Sequence, residues 1–317
     1  MKVAVIGGTG HIGTYLVPRL VELGCDVTVV SRRRREPYQQ HGAWSKVVHV
    51  EIDRSAAEAD GTFGRRIADL AADVVIDLIC FTPDSCRQLV EALRGKVSHF
   101  LHCGTLWVYG HSTAVPTSES HPRRPFGPYG INKAAIEAML LSEARVGDFP
   151  ATVLHPGHIA GPGWLPINPA GHNDPAVFET LIAGRELALP NLGMETLQHV
   201  HAEDVAAAFV AAVTHWSASV GESFHAVSTG SLTLRGYAEA VAGWYGKEAK
   251  LKFMPYEQWA EGVDEKLAKM TLDHIAHSPC FSIDKARRLL NYRPRYTPLE
   301  TLREALQWLV EHGQVKI

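Results

Sequence analysis

A doubly wound α/β fold on a parallel sheet is predicted for this sequence by three observations. Short β-branched apolar runs alternate with helical patterns through the first half of the chain. The runs are apolar throughout instead of alternating with polar residues, as strands covered on both faces are. A glycine-rich turn joins the first run to the first helical pattern. Repeated strand–helix–strand order then implies parallel strands with right-handed crossovers.

The elements follow in order. Residues 3–6 form the first run; Ile12, Leu16, Leu20 and Leu23 then repeat at helical spacing, with Pro18 expected to interrupt that helix. Strands are predicted over 26–30, 46–50 and 73–79, a helix over 85–94, and a further strand over 100–103. The second half is less regular. Gly161-Pro162-Gly163-Trp164, followed by Pro166, Pro169, Gly171 and Pro175, is rich in breakers and marks a boundary. An alanine-rich helix over 204–215 and a strand over 222–227 are expected to return and complete the first sheet. The organisation predicted is a first domain of residues 1–163 completed by 199–229, a smaller substrate-binding lobe of 164–198 and 230–300, and a final helix within 301–317. That helix opens on Thr297-Pro298-Leu299-Glu300, a capping box with proline at its first position.

Composition bounds the function. The chain has 317 residues, 46% apolar and 21% charged, which is ordinary globular usage. Its 31 basic and 34 acidic residues leave a net charge of −3, so no global basic field invites nucleic acid. No apolar stretch approaches the length of a membrane span. Five cysteines without paired spacing, and an N-terminus running straight into the first strand, point to reduced thiols and a cytoplasmic location. The seventeen histidines include no ligand-spaced pair, and no metal site is predicted.

Two patterns carry chemistry. Gly7-Gly8-Thr9-Gly10-His11-Ile12-Gly13 follows a strand and opens a helix. Such a turn lets the backbone approach a pyrophosphate and offers free helix N–H groups, so a dinucleotide site of the Rossmann type is expected. An NAD-preferring site places a carboxylate after the second strand, but here that strand ends Val30-Ser31-Arg32. Ser31 and Arg32 are suited to a 2′-phosphate instead, which favours NADP over NAD. The second pattern, Tyr129-Gly130-Ile131-Asn132-Lys133, puts a phenol and an ammonium on one helix face. A lysine close by is expected to lower the tyrosine pKa, so that Tyr129 exchanges a proton with a substrate hydroxyl or carbonyl while hydride moves.

With these motifs the sequence resembles the extended short-chain dehydrogenase/reductase superfamily, the NAD-dependent epimerase/dehydratase family. The likeness rests on blocks in that family's order: Gly7 to Gly13, Asp53 after the third strand, residues 103–110, Tyr129 to Lys133, residues 155–162, residues 200–206 and residues 284–294. The resemblance implies Thr105 as the hydroxyl that bonds the substrate oxygen, Tyr129 as acid/base and Lys133 as its partner. It also implies Asp53 at the adenine amine, Pro156 and His158 beside the nicotinamide, and a homodimer. Four departures qualify it. Ile6 precedes the glycine loop where threonine is frequent, Cys103-Gly104 replaces a serine pair, and His155 stands where arginine is usual. The arginines that hold a sugar nucleotide's diphosphate are missing both from Thr196-Leu197-Gln198 and from 271–280.

The function expected is therefore an NAD(P)-dependent oxidoreductase, an epimerase or a reductase, acting at a hydroxyl or ketone carbon of a sugar-like small molecule. The alternatives are a nucleotide-sugar 4-epimerase with tightly bound NAD, and a cofactor-sensing or RNA-associated protein on the same fold. No nucleic-acid or membrane partner is expected.

Overall fold

The computed structural model describes residues 1–32 and 36–317; Arg33, Arg34 and Arg35, most of the basic run after Ser31, lie outside the described residues. The first half runs β1 (Lys2–Ile6), α1 (His11–Glu22), β2 (Asp26–Ser31), β3 (Val48–Glu51), α2 (Arg54–Ala59), α3 (Phe63–Ala68), β4 (Val74–Asp77), α4 (Pro83–Leu93), β5 (His99–Cys103), α5 (Gly127–Val146) and β6 (Ala151–Pro156). β7 (His158–Ala160), α6 (Ala176–Ile182), β8 (Glu186–Pro190), β9 (Thr196–Leu197), β10 (His199–His201), α7 (Ala202–Thr214), α8 (Trp216–Ser219) and β11 (Ser223–Ala226) follow. The chain ends with β12 (Leu232–Thr233), α9 (Leu234–Trp244), β13 (Lys250–Met254), α10 (Tyr256–Ala260), α11 (Glu265–His277), α12 (Asp284–Leu290) and α13 (Pro298–Glu311).

Seven parallel strands form the central sheet in the order β11-β6-β5-β4-β1-β2-β3. Chain order runs outward in both directions from the β1–β4 pair, where Val3 lies beside Val74. A crevice opens at such a switch point, at the carboxyl ends of the strands. Helices cover both faces, which is why Val75, Ile76, Phe100 and Leu101 are wholly buried.

Pro18 does not interrupt α1, which continues through it. An internal proline costs about 3 kcal/mol, but Leu16, Val17 and Leu20 of the same helix are fully buried with Phe209 and Ala212 of α7. Burying three such side chains contributes about 1.5–3 kcal/mol each and outweighs the proline.

A second apolar core gathers Phe178, Leu187, Leu189, Leu197, Tyr237 and Trp259 around the pairs β8–β13 and β9–β12, and α13 buries Leu302, Leu306 and Leu309 in it. The capping box at Thr297 and Glu300 is formed. Phe281, Ile283, Leu290 and Tyr292, by contrast, pack on the core of the large sheet. Among the described residues no helix is long and apolar enough to cross a membrane, and no group of three or more metal-binding side chains is found.

Candidate active site

The turn from β1 to α1 is built for close approach. Gly7 has φ +82°, and a Cβ on Gly13 would lie 2.0 Å from the Gly8 carbonyl oxygen. Gly10 N–H donates to the Gly7 carbonyl at 3.1 Å, and Gly10 precedes the first turn of α1 with no side-chain cap. The free N–H groups of that turn suit a phosphate, and backbone alone can approach there. Thr9 at the turn is nearly buried. The His11 side chain points elsewhere: it stacks on Trp164 at 5.0 Å and meets Tyr38 edge-on at 5.6 Å. His11 therefore serves the turn through its backbone.

A cavity opens on each side of this turn. The first, of about 400 Å³, lies over the ends of β1, β2 and β3 and is lined by Ile6, Ser31, Arg32, Ile52, Arg54 and Glu58 among others. Ser31 and Arg32 are thus at a cavity wall, with Arg32 exposed. Asp53 is exposed and caps α2, its carboxylate accepting from Ala56 N–H at 3.0 Å, between the wall residues Ile52 and Arg54. Sequence reasoning passed over Arg54. Its Nη1 donates to both oxygens of the fully buried Asp77 at 2.8 and 3.0 Å, and its Nε donates to Glu58 at 2.6 Å. Arg54 Nη2 is buried without a partner among the described residues. Its place next to Asp53 was the one available signal.

The second cavity, of about 440 Å³, is lined by Ile12, Thr105, Trp107, Tyr129, Lys133, Pro156, His158, Trp164 and His274 among others. It brings together Thr105 after β5, Tyr129 and Lys133 of α5, and Pro156 and His158 at the β6–β7 junction, three stretches far apart in the chain. Phe81, missed in the sequence, lines both cavities and lies over the Lys133 ammonium at 5.0 Å. Trp107 stands edge-on to Tyr129 at 5.8 Å and stacks on His277 at 4.3 Å. Tyr109 is buried away from the cavity and hydrogen-bonds His225 at 2.8 Å.

Lys133 is anchored by backbone carbonyls. Its ammonium, 2% exposed, donates to the Cys80 and Cys103 carbonyls at 2.7 Å each and lies 6.0 Å from the centre of the Tyr129 ring. Burial pushes the Tyr129 pKa up to about 12, the Cys103 thiol adds to this, and a hydrogen bond with Thr105 only partly opposes it. Burial also lowers the Lys133 pKa. In the protein by itself the phenol pKa is raised where the sequence predicts it lowered, and two carbonyls satisfy the ammonium.

Two imidazoles, His158 and His274, line the cavity, and the fully buried His199 lies behind them. His158 lies 4.9 Å from His274 and 5.6 Å from His199, ring centre to ring centre. Burial lowers the pKa of all three, His199 to about 3, so the wall is uncharged at neutral pH. His274 lies 145 positions beyond Tyr129, and only the fold reveals it.

The glycine cradle, the cavities flanking it and the orphaned Arg54 donor fit an extended dinucleotide. Together with the Thr105, Tyr129 and Lys133 set they define a dinucleotide-dependent oxidoreductase. The NAD dependent epimerase/dehydratase family model matches residues 3–226, and the chain belongs to this family, an enzyme family of the extended short-chain type. The UDP-glucose 4-epimerase of Mycolicibacterium smegmatis is 30% identical, over 99% of this chain and 100% of that protein. The chloroplast stem-loop binding protein of 41 kDa b of Arabidopsis thaliana is 26% identical, over 96% and 78%. The 2′-dehydrokanamycin reductase of Streptomyces kanamyceticus is 25% identical, over 99% and 86%. Among solved structures, the UDP-glucose 4-epimerase of Thermotoga maritima with UDP-glucose matches at TM-score 0.75 and 20% identity, over 99% of this chain and 100% of that one.

Proposed function

We propose that the chain is a reductase that uses exchangeable NADPH to move hydride at a ketone or hydroxyl carbon of a sugar-like molecule without a diphosphate. The lining of the second cavity carries this reading. Its one cation among the described residues, Lys133, is held by two carbonyls, and the facing imidazoles are neutral. A diphosphate needs charge-assisted partners. The positions where arginines were sought are spent on the fold: Gln198 donates to the Ser228 and Phe281 carbonyls and accepts from Phe281 N–H at 2.7 Å, and Thr196 bonds Ser278 and the Pro279 carbonyl.

When bound, the dinucleotide supplies hydride and, once oxidised, a positive ring. The chain supplies the rest. Ser31 and Arg32 would hold a 2′-phosphate at the first cavity, and the Gly7–Gly13 backbone the pyrophosphate. Thr105 and Tyr129 line the same cavity, and a substrate oxygen would enter between them. A phenol with its pKa near 12 keeps its proton at neutral pH, so Tyr129 is set to give it to a carbonyl oxygen. Lys133 fixes the end of β5 and so the approach to Thr105. The homodimer suggested by the resemblance is tested by light scattering.

A second reading, a nucleotide-sugar 4-epimerase with resident NAD, is favoured by one feature. A neighbouring cavity of about 510 Å³ shares Trp107, Trp164 and His274 and carries Lys266 and Lys269 of α11 at its wall. The deciding experiment follows NADPH oxidation with phosphate-free keto-sugars beside UDP-glucose and UDP-galactose interconversion. Oxidation of NADPH by a phosphate-free keto-sugar supports the proposal; interconversion with co-purifying NAD overturns it.

A further inference from the structure

His155 and Gly104 are two departures from the family pattern, and they meet in space. A Cβ on Gly104 would lie 2.4 Å from His155 Nδ1, so the imidazole occupies the room that a side chain at 104 would need. The ring is fully buried and both its nitrogens are used. Thr105 N–H donates to Nδ1 at 3.0 Å, which makes Nδ1 an unprotonated acceptor. The ring proton is therefore on Nε2, which donates to Glu137 Oε1 at 3.0 Å. Glu137 is 3% exposed and also accepts from Arg123 Nε at 3.0 Å and Nη2 at 2.5 Å. Arg123 in turn donates to Ser223 Oγ at 3.0 Å.

Glu137 follows Tyr129 and Lys133 at the same four-residue spacing along α5, so one helix face carries all three. Tyr129 reaches the reacting volume directly. Glu137 reaches it through His155, whose acceptor nitrogen sets the backbone at Thr105. The carboxylate fixes the imidazole tautomer, and the tautomer fixes which nitrogen can accept the amide. Arg123 and Ser223 hold the carboxylate in turn.

We propose that His155 and Glu137 are a positioning pair for the Thr105 hydroxyl, so that both groups facing the substrate oxygen are registered by α5. The proposal rests on the assignment of Thr105 and Tyr129 as the reacting pair. Neither His155 nor Glu137 touches the substrate cavity, so each acts through Thr105.

Two arms test it. In the first, 15N NMR of the imidazoles and amide exchange are recorded on the intact protein without substrate. The expected result is an Nε2–H tautomer at His155 and a protected Thr105 amide, with that protection lost in Glu137→Gln. An Nδ1–H tautomer would overturn the proposal, and this measurement stands even where a variant fails to fold. In the second, His155→Leu should lower kcat about ten- to a hundredfold, as small misplacements do. KM and NADPH affinity should stay within about twofold, and His155→Gln, which keeps a donor and an acceptor, should recover part of the loss. A folded His155→Leu enzyme with wild-type kcat would overturn the pair. If the first arm succeeds while no substrate is turned over by the wild-type protein, the reductase reading fails and the pair stands.

Discussion

The two cavities flanking the glycine turn handle buried polarity in opposite ways. The β1–β3 side is ionic: Arg54 is ringed by Asp77 and Glu58, with Arg32 at the wall. The Tyr129 side carries one cation among the described residues, Lys133, held by two carbonyls, and is otherwise neutral, with His158 and His274 in its wall, His199 behind them, and Trp107 and Trp164 beside them. Buried ions persist only with partners, and an imidazole can instead give up its charge. One side of the cleft thus presents buried ion pairs and the other mostly neutral polar groups. The same contrast separates their responses to acid, to mutation and to the choice of cofactor.

Acid should strike the imidazole side hardest. Burial lowers His199 to about 3 and His277 to about 4, from an ordinary 6.5. Depressed folded values mean that the unfolded chain takes up protons first. The stability is complete above pH 6.5 and is lost as pH falls from there towards 4 and 3, by about 1.4 kcal/mol per pH unit for each histidine. Thermal melts from pH 8 to pH 4.5 should therefore fall steeply below about pH 6.5. Flat melts down to pH 5 would show that His199 and His277 are not held neutral by burial.

The ionic side should fail by mutation. Arg54→Met leaves Asp77 buried without its partner, and breaking such a pair costs about 3–5 kcal/mol. Chemical denaturation checks this; a loss below about 1 kcal/mol would mean that water reaches Asp77. Replacing both partners together, Arg54→Met with Asp77→Leu, should restore much of the loss.

Chemistry separates from both. Tyr129→Phe should cut turnover about a hundredfold or more while NADPH affinity stays nearly unchanged. Fluorescence titration beside steady-state kinetics reads the two effects apart, and unchanged turnover would remove Tyr129 from the reaction.

What was legible in the sequence follows the same division. The strands of the large sheet were readable because each is covered on both faces, so its own residues report its surroundings. The Gly7 to Gly13 turn and the Tyr129–Lys133 spacing are local in the chain, and local geometry is what a pattern carries. Arg54 and Asp77 are 23 positions apart and lie on different elements, and their pairing depends on β3 and β4 flanking the β1–β2 pair. His274 reaches the cavity only because α11, far along the chain, packs at its wall. Pro18 misled because its local cost is real and the α1–α7 packing that outweighs it is not local. The seating of Lys133 was hidden for a related reason: the carbonyls of Cys80 and Cys103 that hold it are backbone atoms, invisible to any reading of side-chain types.

The smallest effect tests the ionic cavity at its edge. Arg32 is exposed, so its removal should leave the fold intact and change only what the cavity can hold. A charge-assisted bond to a 2′-phosphate is worth about 1.5–3 kcal/mol, which is about ten- to a hundredfold in affinity. Exposure places Arg32→Ala near the lower figure, and the loss should fall on NADPH alone, because NADH has no phosphate for the guanidinium to meet. Raising salt should weaken NADPH binding to the wild-type protein and have less effect on the variant. Equal loss for both cofactors would instead place Arg32 against the adenine or ribose they share. In that case any preference for NADPH would have to come from Ser31 or from Arg54 Nη2 on the same wall, which has no partner among the described residues.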